Sequence, residues 1–147
     1  MKTKNVKNYI ETSLGFPVKL VNVKLIQIGD DWAADIDFPR LFIRVLGVLS
    51  RLHRPLTGAE VRFVRQQHRL TQAAFAAKFG VSHVAVHKWE KRGAQATGMG
   101  WSTEKDLRLF IQSQLSRDPG ALGQLYQELS RRPGGTRKAG LKELVAA

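Results

Sequence analysis

The sequence contains no cysteine, which excludes disulfide bonds, cysteine-ligated zinc and a thiol nucleophile. It also lacks a long hydrophobic run, because the longest apolar stretch, residues 41–49, is interrupted by Arg44. A membrane-spanning helix needs about 20 apolar residues. Residues 1–13 are basic but contain no apolar segment of the kind found in signal peptides. We therefore expect a cytoplasmic protein with no membrane partner.

Acidic residues are scarce relative to basic ones. The chain has 24 Lys and Arg against 12 Asp and Glu, so its formal net charge is +12 over 147 residues. This excess suits a polyanionic partner, with nucleic acid as the first choice and an anionic membrane surface as the second. The positive charge falls in residues 1–56, 57–116 and 131–147, whereas residues 117–130 are slightly acidic.

Patterns that support catalysis are also missing. The chain has no phosphate-binding glycine loop, no clustered pair of carboxylates and no recognisable Ser/His/Asp arrangement. His83 and His87 are spaced to face one metal ion, but the sequence offers no obvious further ligands. We expect neither an enzyme nor a protein that needs a metal or another cofactor.

The first third of the chain predicts a small α+β domain. Residues 1–15 are polar and Lys-rich, which indicates a flexible basic N-terminal arm or a short helix around residues 6–13. Residues 18–28 are rich in β-branched side chains, and the turn that follows them predicts a β-hairpin with residues 32–36. A helix over residues 38–53, with Asp37 as its cap, would cover the hairpin.

The rest of the chain is predicted to be helical. Residues 54–58 break the pattern and mark a domain boundary. Helical segments are expected at 58–68, 71–79, 82–92, 103–115 and 119–130. Ser102 or Thr103 would cap the fourth of these helices. The fifth has an apolar stripe, residues 122–129, with no assigned partner. The predicted fold is mainly α. Its parts are the arm (1–15), the hairpin-plus-helix domain (16–56), a five-helix domain (57–131) and a basic tail (132–147), disordered at least to residue 140.

Two of these helices have the spacing of a helix-turn-helix motif. Thr71 caps the first, Gly80 ends it, and Ser82 caps the second after a short turn. This geometry projects the second helix into the major groove of DNA. Val86 and Trp89 would point inward.

The outer side of the second helix and the start of the first supply the candidate contacts with double-stranded DNA. Hydrogen-bond donors on these two surfaces can bond to guanine or phosphate acceptors, and small apolar side chains can pack on thymine methyl groups. A helix N-terminus and nearby basic residues suit phosphates. The candidates are Thr71, Gln72, Ser82, His83, Val84, Ala85, His87, Lys88, Lys91 and Arg92.

Over about 60 residues the chain resembles the Cro-type and phage-repressor family of helix-turn-helix regulators, often called XRE-type. The matching residues are Arg65, Leu70-Thr71-Gln72, Phe75-Ala76, Gly80-Val81-Ser82, Val86 and Trp89-Glu90. The resemblance implies a sequence-specific transcriptional regulator, a repressor in the first instance. It also implies that Gln72 and the helix at 82–92 contact the operator, and that Arg65 pairs with Glu90. Val84 and Ala85 depart from the family, where these positions are often polar.

Other functions stay open at this point. The chain also resembles, more loosely, antitoxin regulators of the MqsA and HigA kind, but that resemblance does not by itself imply toxin binding. A protein-interaction module that neutralises a partner toxin through residues 1–56 and uses its DNA-binding domain for autoregulation is the second possibility. The cysteine-rich zinc domain of MqsA-type proteins is absent here. A sequence-indifferent architectural DNA binder is the third possibility, favoured by the net charge. We expect a homodimer, because one motif reads only a short half-site and the stripe at 122–129 has no partner.

Overall fold

Three strands form an antiparallel sheet in the computed structural model, which describes residues 2–131 and 144–146. The central strand, β2 (Val18–Ile28), pairs with β1 (Thr3–Glu11) on one side and with β3 (Asp31–Ala34) on the other. Gly29, with φ of +64°, forms the turn between β2 and β3, which confirms the predicted hairpin. A short β4 (Leu144–Ala146) runs parallel to the start of β2.

The prediction for residues 1–15 is wrong, since Thr3–Glu11 is neither a mobile arm nor a helix but a full-length strand. It pairs with β2 from Thr3 opposite Ile26 to Glu11 opposite Val18. The backbone groups on the β2 side of this edge strand, which a solvated arm would leave to water, are bonded to β2 instead. The chain then turns at Gly15, whose φ is +98°, and buries Phe16.

Helix α1 (Phe38–Arg51) completes the N-terminal segment and ends two residues earlier than predicted. The Asp37 side chain accepts from the backbone amide of Arg40 and so caps the helix as expected. The apolar side of α1 forms one core cluster with the buried side chains of β2. The buried members on α1 are Leu41, Val45, Leu46 and Leu49.

Five further helices follow, as predicted. They are α2 (Gly58–Gln67), α3 (Gln72–Lys78), α4 (His83–Lys91), α5 (Trp101–Leu115) and α6 (Pro119–Ser130), each with ends within two residues of the predicted ones. One cap is different: α5 begins at Trp101, after Gly100, and neither Ser102 nor Thr103 caps it. The described chain is therefore an α+β fold with six helices and a sheet of three antiparallel strands, to which the short β4 is added in parallel.

The core continues across the boundary predicted at residues 54–58. The Phe63 ring of α2 lies 5.5 Å from that of Phe16 and 5.6 Å from that of Phe42, both in edge-on geometry. Arg108 of α5 is 1% exposed and donates to the carbonyl oxygens of Leu52 and Arg54 beyond the end of α1. Segments 16–56 and 57–115 thus contribute to one hydrophobic core cluster.

The C-terminal part differs from expectation at the apolar stripe. Leu125 and Leu129 are buried and α6 packs on α5, so much of the stripe has a partner within the chain, while Tyr126 is 53% exposed. Most of the predicted basic tail, residues 132–143 and 147, lies outside the described residues. Within the described part of the chain, every helix is too short or too polar to cross a membrane.

Candidate nucleic-acid interface

Helices α3 and α4 are joined by a tight connection that starts and ends on local capping signals. The Thr71 hydroxyl accepts from the Ala74 amide, and the Ser82 hydroxyl accepts from the Ala85 amide, both at 3.1 Å. Gly80 has φ of +66°, a conformation that glycine adopts without the strain of a Cβ atom. The two hydroxyls therefore define where each helix begins, as the sequence predicts.

One side of α4 packs on the core and the other faces solvent. Val86 is fully buried, and Trp89 and Val81 are partly buried against the core cluster. The opposite side carries the predicted contact residues: His83, Val84, His87 and Lys88 are exposed, and Ala85 is half-buried. Val84 is 47% exposed, so its two methyl groups are available to a ligand.

An ion pair fixes α4 to α2. The Arg65 Nε atom lies 2.7 Å from Glu90 Oε2, and Arg65 Nη2 donates to Glu90 Oε1 at 2.9 Å. This is the pair that the family resemblance implies. The hydrogen bond with Glu90 raises the pKa of Arg65 above its ordinary value, despite the opposing effect of desolvation. Gln72 Nε2 also approaches Glu90 Oε1, at 3.4 Å, so α3 joins the same cluster.

The exposed surface of the α3–α4 pair has charge of one sign. Residues 71–92 contain four Lys and Arg side chains, all exposed: Lys78, Lys88, Lys91 and Arg92. The one acidic residue in this stretch is Glu90, whose side chain is 7% exposed and is neutralised by Arg65. The solvent side therefore presents cations without a competing carboxylate from its own helices.

The loop after α4 is held in place by the start of α2. The Gly58 amide donates to the Gln95 carbonyl at 3.1 Å, and the Ala59 amide donates to the Gly93 carbonyl at 2.9 Å. Arg92 Nε donates within the loop to the Ala96 carbonyl at 3.1 Å. These bonds fix the backbone that carries the last two cations of α4.

Gly58 makes the closest approach in this region, which sequence reasoning missed. A Cβ atom at this position would overlap the carbonyl oxygen of Trp89 and lie 2.8 Å from the amide nitrogen of Gly93. Both atoms belong to the backbone and cannot rotate away. Glycine at position 58 therefore allows α2 to touch the end of α4.

Sequence reasoning also missed a buried charge network beside Gly58. Arg54 Nη2 lies 2.7 Å from Glu60 Oε2, and this hydrogen bond is the main cause of the raised pKa of Arg54. Glu104 Oε1 accepts from the Leu56 amide at 2.7 Å, and Arg108 Nη2 approaches Glu104 Oε2 at 3.3 Å. Thr57-x-x-Glu60 is a capping box, the one local signal that could have indicated part of it.

All ten predicted contact residues lie on or beside α3 and α4, and eight of them are exposed; Gln72 and Ala85 are half-buried. In the described part of the chain, His83 and His87 do not join a group of three or more side chains that could hold a metal ion. Neither a family model, a curated protein nor a solved structure matches the chain.

Proposed function

We propose that this protein is a sequence-specific regulator that binds double-stranded DNA and reads its major groove with α4, as the second helix of a helix-turn-helix. The observation that carries the proposal is the exposed side of the α3–α4 pair. It combines three exposed cations on α4 and its C-cap, Lys88, Lys91 and Arg92, with neutral side chains able to read bases, on a helix whose inner side is anchored.

Base reading is assigned to the exposed middle of α4. His83, Val84, His87 and Lys88 occupy positions i, i+1, i+4 and i+5 and so share one face of the helix. Lys88 and the imidazoles can donate to guanine N7 and O6, and Val84 can pack on the methyl group of thymine. Hydrogen-bonding and methyl contacts together would give sequence preference.

Positioning on the duplex is assigned to the ends of the helices. Lys91 and Arg92 lie at the end of α4 on a backbone fixed by α2, and their charge suits phosphates. Thr71, Ser82 and Gln72 can donate to phosphate oxygens. A regulator that uses these contacts would work in the cytoplasm, on the nucleoid.

The proposal is tested by comparing two variants that each remove one exposed lysine. Lys88→Ala alters α4, whereas Lys24→Ala alters β2 and serves as the control. Binding of each to one duplex that the wild-type protein has enriched from a random pool is measured by fluorescence anisotropy at about 150 mM salt. Lys88→Ala should weaken binding by about 1 to 3 kcal/mol, and Lys24→Ala should leave it unchanged. Equal losses for both variants would contradict an interface on α4.

A sequence-indifferent architectural DNA binder is the second candidate, and the net charge of +12 favours it. Such a protein would bind the same duplexes, but its affinity would not depend on their sequence. The two candidates therefore differ in the ratio of specific to non-specific affinity, which typically exceeds about a thousandfold for a specific regulator.

A further inference from the structure

An open groove lies between α3, α5 and α6, apart from the exposed side of α4. Its volume is about 680 Å³, and its apolar lining includes Phe79, Phe110, Leu122 and Tyr126. Phe79 and Phe110 also contact each other edge to face, with ring centroids 5.6 Å apart. The groove is therefore an apolar recess that is open to solvent, and its Tyr126 side chain is 53% exposed.

The rim of the groove carries charges of both signs. Lys78 Nζ lies 4.8 Å from the centre of the Phe110 ring, and Lys105 Nζ lies 4.1 Å from the centre of the Tyr126 ring. Asp106 also lines the groove and is exposed. A surface that contains both Lys78 and Asp106 can be complementary to a copy of itself, because in a two-fold contact any pairing of Lys78 with Asp106 of the other copy occurs twice.

Gly123 is part of the lining and lies in the interior of α6. Glycine in a helix interior costs about 1 kcal/mol relative to alanine, so packing usually accounts for it. Among the described residues, however, nothing lies within 4 Å of where its Cβ atom would be. The missing side chain leaves room for a helix to approach from outside the chain.

We propose that this groove is the surface through which two copies of the chain associate, with the α6 helices crossing near Gly123 and each Tyr126 ring entering the groove of the other copy. The charge distribution favours this segment over the others. Residues 117–130 contain Arg117 against Asp118 and Glu128, a net charge of −1. The rest of the chain is basic, so this is where two copies with charge +12 repel each other least.

The proposal does not depend on DNA binding and is tested without DNA. Sedimentation equilibrium on the full chain at micromolar concentrations should give a reversible dimer. Gly123→Arg adds bulk and charge at the proposed crossing, into space that no described residue fills, and should raise the dimer dissociation constant by at least about tenfold. The matched control is Gln124→Arg, because Gln124 is exposed on the same helix but about 100° away around it. Circular dichroism checks that both variants keep their helices.

Cross-linking locates the contact, and the lack of native cysteine makes it specific. Gly123→Cys and Gln124→Cys each introduce a single thiol. A disulfide forms between copies only if the two Cα atoms come within about 7 Å. Mild oxidation by diamide should therefore give a covalent dimer of Gly123→Cys but not of Gln124→Cys.

A wild-type protein that stays monomeric at all concentrations would overturn the proposal and leave the groove to a different protein. A dimer that Gly123→Arg does not weaken, or that cross-links equally at position 124, would overturn it in favour of another surface.

Discussion

The guanidinium group of Arg65 on α2 donates to both carboxylate oxygens of Glu90 on α4, at 2.7 and 2.9 Å, and its Nη1 atom donates to the Leu70 carbonyl at 2.9 Å. One side chain thus joins α2, α4 and the segment that leads into α3. Both members are largely buried, with side chains 14% and 7% exposed. Removing one member would leave the charge of the other without a partner in a poorly hydrated place.

Arg65→Ala should destabilise the fold by about 3 kcal/mol, because it leaves the Glu90 carboxylate unpaired. Urea denaturation followed by circular dichroism measures the change. Arg62→Ala is the control, since Arg62 lies on the same helix but is exposed, and it should change stability by less than about 0.5 kcal/mol. Equal midpoints for the two variants would show that the Arg65–Glu90 pair contributes nothing.

Gly58→Ala should destabilise the protein by about 1 to 3 kcal/mol, because the added methyl group overlaps the backbone of Trp89 and Gly93. Gly47→Ala makes the same change inside α1. There the nearest atom is Leu115 Cδ1 at 3.8 Å, an ordinary contact, so this variant should be neutral or up to about 1 kcal/mol more stable. Thermal unfolding of the pair measures both effects. If Gly58→Ala unfolds at the wild-type temperature, the close approach of α2 to α4 is not a constraint.

Arg108→Leu should lower the free energy of unfolding by about 3 kcal/mol or more, although leucine is a common residue at buried positions. The substitution leaves the carbonyl oxygens of Leu52 and Arg54 and the buried carboxylate of Glu104 without this donor. Arg62→Leu is the exposed counterpart and should have little effect. Hydrogen exchange provides a second measurement, because amides at the end of α1 should lose protection in Arg108→Leu. If Arg108→Leu is as stable as Arg62→Leu, the hydrogen bonds that Arg108 donates do not stabilise the fold.

Local signals account for the parts of the fold that the sequence predicts well. Thr71, Ser82 and Asp118 begin helices because their side chains accept from backbone amides two or three residues later, and such contacts can be read directly from neighbouring letters. The Arg65–Glu90 pair is different: its partners are 25 positions apart, and only the family resemblance indicated it.

Long-range pairing accounts for what the sequence did not predict. β1 contains the pairs Lys4-Asn5 and Lys7-Asn8, residue types that are depleted in strands, so only its pairing with β2 makes it a strand. Arg108 lies between Leu107 and Leu109 in an amphipathic helix, and nothing nearby in sequence shows that it meets carbonyl groups more than 50 positions away. The contact of Gly58 with Trp89 is hidden for the same reason.

Lys91→Ala should weaken binding to all duplexes alike, because a phosphate contact carries no sequence information. It should also make the slope of log K against log salt concentration less steep by about 0.9. Titrations of anisotropy at several salt concentrations give this slope, with Lys24→Ala as the control that leaves it unchanged. A slope unchanged in Lys91→Ala would remove Lys91 from the proposed interface.

The most direct test of a sequence-specific regulator is selection of bound duplexes from a pool of random and genomic DNA at about 150 mM salt. The wild-type protein and Lys88→Ala are taken through the same rounds, and the recovered DNA is sequenced. We predict that the wild-type protein enriches a short motif and that Lys88→Ala loses or relaxes it at particular base pairs. Recovery of DNA without any enriched motif would contradict sequence-specific reading by α4, and failure to recover DNA at all would contradict DNA binding itself.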